Sequence, residues 1–82
     1  MSQDKTNLFN VKDINSELVR GIIDDVYNAL EERGYNPTNQ IVGYLISGDP
    51  GFISNYQEAR DKIQELDRSE IIKFLLENYL EK

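Results

Sequence analysis

Eighty-two residues make one small domain, near the lower limit of what folds by burying its own apolar surface, so self-association is raised by size alone. Nine basic against 15 acidic side chains leave a net charge of −6, which repels a phosphate backbone and argues against nucleic-acid binding. With no histidine and no cysteine, Ser-His and Cys-His catalysis are excluded and the commonest metal ligands are missing, while the short apolar runs predict a soluble globular chain that spans no membrane.

Residues 1–14 show no helical period. They begin polar and carry one apolar cluster, Leu8, Phe9 and Val11, alternating with Asn10 and Lys12. The expectation is a flexible N-terminal tail whose second half lies extended on the domain. Met1-Ser2-Gln3-Asp4-Lys5 lacks the basic and apolar regions of a secretory signal.

From residue 15 the pattern changes. Leu18, Ile22, Val26 and Leu30 recur at four-residue spacing beside Val19, Ile23 and Tyr27, which predicts a helix over 16–33 with Asn15 as its cap. Glu17 suits the positive end of its dipole and Arg33 the negative end. Gly21 in its interior costs about 1 kcal/mol against alanine, and marks either a close backbone neighbour or a tolerated gap.

The stretch 34–50 contains both prolines and three of the five glycines. Gly34 can end the first helix in the left-handed conformation, Asn36 can cap a second with Pro37 at its first position, Gly48 can end that, and Asp49-Pro50 can open another. The second helix, over 37–47, packs Ile41, Val42, Tyr44, Leu45 and Ile46 together, too many for a helix with one wet side, so it is expected to be the central and most buried one. Gly43 would permit close helix packing. A strand over 41–46 is the rival reading.

A helical turn through Gly51, Phe52 and Ile53 should come next. Ser54 with Gln57 and Asp67 with Glu70 fit the capping box, and predict helices over 55–65 and 68–81. The third has Tyr56, Ala59, Ile63 and Leu66 as its inward row. The last carries Ile71, Ile72, Phe74, Leu75, Leu76, Tyr79 and Leu80 around more than one face, which suggests burial against a second subunit as well as its own core. The reading is thus all-α: a tail over 1–14, then a homodimeric domain over 15–82 with four main helices and a short helical turn. Ile41, Tyr44, Leu45, Ile72, Leu75, Leu76 and Tyr79 are its candidate core and dimer residues.

Asp24-Asp25 and Glu31-Glu32 do not form catalytic pairs, because adjacent helical residues point about 100° apart and no substrate cleft is indicated; they read as a solvated face. No loop has the alternating oxygen ligands of a calcium site. No cofactor, metal or small-molecule substrate is therefore expected. Arg60, Lys62 and Arg68 either pair along the helix surface with Glu58, Asp61 and Glu65 or contact a partner. Of the seven serines and threonines, five fall at predicted helix ends and Ser2 and Thr6 lie in the tail, where a kinase could draw an extended segment into its active site.

Gly-Tyr-Asn-Pro-Thr-Asn-Gln-Ile-Val-Gly-Tyr-Leu-Ile-Ser-Gly-Asp-Pro at 34–50 resembles the hallmark of the IreB family of small regulatory phosphoproteins. The likeness extends to Asp25-Val26-Tyr27 and Ala29-Leu30 before it and to Ala59-Arg60, Ile63, Arg68, Glu70-Ile71 and Tyr79-Leu80 after it. It implies an all-helical homodimer without enzymatic activity, in the cytoplasm of Gram-positive bacteria of low GC content. It implies phosphorylation by a membrane serine/threonine kinase with extracellular PASTA repeats, reversed by a cognate phosphatase. The family is tied to cell-wall synthesis and cephalosporin tolerance, the unmodified protein acting as a brake through proteolytic turnover of an enzyme that makes peptidoglycan precursor. Thr6, followed by the aromatic Phe9, matches the family's tail pattern and is the implied phosphosite; Ser2 is the only other tail hydroxyl. Arg60 is carried over as a partner contact. Asn55 and Gln64 depart from the pattern, standing where some members have arginine, which makes such a contact less electrostatic here. The alternatives are a helical interaction module without a phosphoswitch and a small nucleic-acid-binding helical domain.

Overall fold

The computed structural model describes residues 11–80, with side chains from Asn15 onward. Its elements are α1 (Val11–Glu32), α2 (Pro37–Ser47), a 3₁₀ turn (Pro50–Phe52), a second 3₁₀ turn (Tyr56–Glu58), α3 (Ala59–Ile63) and α4 (Arg68–Leu80). No strand occurs among the described residues, which removes the rival reading of 41–46. No helix there is long and apolar enough to cross a membrane.

The organising element is α1, about 33 Å long at 1.5 Å per residue, against which α2, α3 and α4 all pack. Its inward row of Val19, Val26, Ala29 and Leu30 is buried; Val26, Ala29 and Leu30 form one core with Ile41 and Tyr44 of α2, Ile53 just after the first 3₁₀ turn, Ala59 and Ile63 of α3 and Ile71 of α4, and Phe74 of α4 is buried as well. Tyr56 and Leu66 pack against this core partly buried, as their places in the predicted inward row require. No charged side chain is buried among the described residues.

The corners are set by local chemistry. Gly34 adopts φ 90°, its N–H donates to the Glu31 carbonyl at 3.0 Å and that of Tyr35 to the Leu30 carbonyl at 3.0 Å, the paired bonds that close a helix through a left-handed glycine. Asn36 Oδ1 accepts from the Asn39 N–H at 3.0 Å, with Pro37 at the first helical position. At the far end Gly48, at φ 78°, donates to the Tyr44 carbonyl at 2.7 Å. Asp49 Oδ1 then accepts from the Gly51 N–H at 2.8 Å and starts the 3₁₀ turn.

Five expectations need correction. First, α1 begins at Val11 rather than near residue 16, so Asn15 lies inside the helix instead of capping it and Val11 is helical rather than extended. Second, α2 is not the most buried helix: Ile41 and Tyr44 face the core, but Val42 and Ile46 are exposed, because α2 packs on the flank of α1 and leaves its own outer face uncovered. Third, Gly43 accommodates a side chain rather than a helix backbone, for a Cβ there would stand 2.5 Å from the ring of Phe52; Gly21 has nothing within 4 Å and is a tolerated gap.

Fourth, the helix expected over 55–65 is broken. Gln57 and Glu58 sit at φ 53° and 64°, a left-handed kink that only lets α3 start at Ala59. Fifth, the Ser54–Gln57 capping box does not form. Ser54 instead exchanges two hydrogen bonds with α2, its N–H donating to Gln40 Oε1 at 2.9 Å and its hydroxyl accepting from Gln40 Nε2 at 3.3 Å. The capping role falls to Asn55, whose Oδ1 accepts from the N–H groups of Arg60 and Asp61 at 3.1 and 3.3 Å.

Candidate protein-interaction surfaces

The two sides of α4 differ. Ile71 and Phe74 point into the core, whereas Ile72, Leu75, Leu76 and Tyr79, spaced i, i+3, i+4 and i+7, form one stripe on the outer side. They are 42, 41, 54 and 71% exposed. Of the remaining candidate core and dimer residues, Ile41 and Tyr44 are buried within the chain and Leu45 is partly buried against its core. The structure therefore divides that set into three residues that build the chain's own core and four that coat an apolar outer face.

Arg60 lies on α3, half-buried, with Nε donating to the Ile53 carbonyl at 2.9 Å. Arg68 Nη1 donates to the Leu45 carbonyl at 3.0 Å. Neither makes the helix-surface pairs considered from spacing. Lys62 reaches across to Asp25 of α1, at 3.9 Å and largely in solvent, where such a pair contributes at most about 1 kcal/mol. The acidic residues Asp24, Asp25, Glu31 and Glu32 are exposed on α1, and no group of acidic side chains among the described residues could hold a metal ion.

A groove of about 320 Å³ opens between the first half of α1 and α4. Val19 and Phe74 line it from the core side and Asn15 and Ser16 continue its α1 wall. Glu70, Lys73 and Glu77 form its α4 side. Arg20 bridges α1 to α4, its guanidinium 5.3 Å from the Phe74 ring centroid and Nη2 donating to Asn78 Oδ1 at 2.9 Å. Sequence reasoning missed this groove. The signal was the inward row of α1, which beyond Val19 continues into Asn15 and Ser16, side chains too polar to extend a core.

Thr6 and Phe9 lie outside the described residues. So does Ser2. Both surfaces just described thus belong to the helical body, and neither contains a constellation for acid-base or nucleophilic work. The family model of the IreB regulatory phosphoprotein matches residues 4–81, a span that takes in Thr6, the corners from Gly34 to Pro50 and both faces of α4. With the match running almost from end to end, the chain belongs to the IreB family of regulatory phosphoproteins.

Proposed function

We propose that the protein is a non-enzymatic, cytoplasmic regulator that a PASTA-type serine/threonine kinase modifies on Thr6 and a cognate phosphatase restores, and that it controls peptidoglycan synthesis, and with it cephalosporin tolerance, through protein–protein contacts. The observation that carries this reading is the family match, whose span includes Thr6 with Phe9 three residues on. Phosphorylation would add about −1.5 to −2 charges to a chain already at −6. The downstream partner is a protein that controls a peptidoglycan-precursor enzyme or its proteolysis.

The stripe Ile72–Leu75–Leu76–Tyr79 supports the homodimer, since an apolar face of this kind is seldom left in water. Arg60 is the proposed partner contact on α3. Because Nε is engaged with Ile53, Arg60 would meet a partner in a fixed orientation rather than as a free charge.

Treatment with the kinase followed by mass spectrometry tests the reading directly. Modification is expected at Thr6 and should vanish in Thr6→Ala; undiminished phosphorylation of that variant would remove the central claim.

A further inference from the structure

We infer that the groove between α1 and α4 seats Leu8 and Phe9 of the chain's own N-terminal segment, and that phosphate on Thr6 expels them; the expulsion rests on the phosphorylation proposed above. The groove is lined by Val19 and Phe74, which are 5 and 8% exposed and form its narrow apolar floor, and by Asn15 and Ser16, short polar side chains that add no apolar cover. Between residues 2 and 10 the only apolar side chains are Leu8 and Phe9.

Reach and charge both favour this occupant. The ten preceding residues join the structure at Val11, about 6 Å along the helix axis from Asn15. Phe9 and Leu8 lie two and three residues before Val11, spans of about 7 and 10 Å at full extension. Asn10 stands between them and the helix, a residue type that tolerates the positive φ of a tight reversal. Asp4 and Lys5 leave residues 1–10 with no net side-chain charge, while Glu70, Lys73 and Glu77 leave the α4 wall of the groove at −1, with the Arg20 guanidinium set apart from it over the Phe74 ring. The unmodified segment approaches without repulsion, and a phosphothreonine three residues from Phe9 brings about −1.5 to −2 charges against a wall with two carboxylates. The stripe Ile72–Tyr79 is on the other side of α4, so a second copy bound there leaves the groove open.

The test is proton NMR on the full chain. Unmodified protein should give nuclear Overhauser contacts from the Phe9 ring to the Val19 methyl groups, and Phe9→Ala should shift the Val19 and Phe74 resonances. Absence of those contacts overturns the docking whether or not Thr6 is a kinase substrate. Contacts seen only between differently labelled chains in a mixed sample would place the second copy's segment in the groove and overturn the assignment within one chain. After kinase treatment the contacts should be lost in the parent and retained in Glu70→Lys, whose α4 wall carries +1; persistence in the phosphorylated parent overturns the expulsion. Contacts present in a protein whose Thr6 the kinase does not modify would uphold the docking and sink the proposed switch instead.

Discussion

The first residue of α4 holds the end of α2: Arg68 Nη1 donates to the Leu45 carbonyl oxygen at 3.0 Å. The guanidinium carbon would stand 2.9 Å from a Cβ on Gly48, so the arginine lies over the glycine that closes α2. A cation at a helix C-terminus is favourable, and here it also meets a carbonyl left over by the helix end. Arg68→Ala should cost about 1 kcal/mol, a fall in Tm of about 4–8 °C for a domain of this size. Urea denaturation of both proteins measures it, and an unchanged midpoint would refute the role of Arg68.

The two interior glycines should respond in opposite directions. Gly21→Ala meets open space and exchanges a poor helix former for the best, so it should stabilise by up to about 1 kcal/mol. Gly43→Ala drives a methyl into the Phe52 ring, an overpacking that costs about 1–3 kcal/mol. Thermal melts of the two variants side by side decide the matter, and equal shifts would mean that Phe52 moves aside freely.

Glu58 holds φ 64° without being glycine. An L-residue there carries about 1–2 kcal/mol of strain, and glycine would relieve it at an entropic cost of about 0.5–1 kcal/mol. Glu58→Gly is therefore expected to gain about 0.5–1 kcal/mol, visible as a higher denaturation midpoint. The same exchange at the next position, Ala59→Gly, falls on a right-handed, fully buried residue and should lose about 1 kcal/mol.

Leu76→Glu places a charge in the exposed stripe of α4. Because Leu76 is 54% exposed, the helical circular dichroism should stay as it is while light scattering falls from twice 9.5 kDa to 9.5 kDa. Phe74→Ala, two residues earlier and 8% exposed, should instead cost about 3–5 kcal/mol and threaten the fold itself. A parent already at 9.5 kDa at micromolar concentration would end the dimer proposal.

What the sequence made legible was chiefly what neighbouring residues do to one another. Asn36, Pro37, Gly48 and Asp49 act within a few residues, and each does what its turn chemistry requires. The kink at Gln57–Glu58 was hidden because no glycine marks it; it follows from distant partners, with Ser54 held by Gln40 and Gln57 Nε2 reaching Glu32 Oε1 at 3.4 Å. Periodicity likewise found which residues of α2 and α4 are apolar but not how many of them neighbours would cover. That depends on helix placement, and it decided that Ile46 and Tyr79 lie outside the chain's own core. The basic residues were misread for a related reason: Arg60 serves the main-chain carbonyl of Ile53, seven residues back across the kink, and Arg68 that of Leu45, 23 residues back in α2, and helix-surface spacing encodes neither pairing.

The close approach of Phe52 to Gly43 gives the molecule a spectroscopic signature of its own. An aromatic ring set that near a bare glycine backbone displaces the Gly43 α-proton resonances by its ring current. The displacement exists only while the corner from Gly48 to Ile53 holds the ring in place. Those two protons are thus an unlabelled gauge of whether this corner is intact, legible in a simple spectrum as temperature, denaturant or a binding partner is varied.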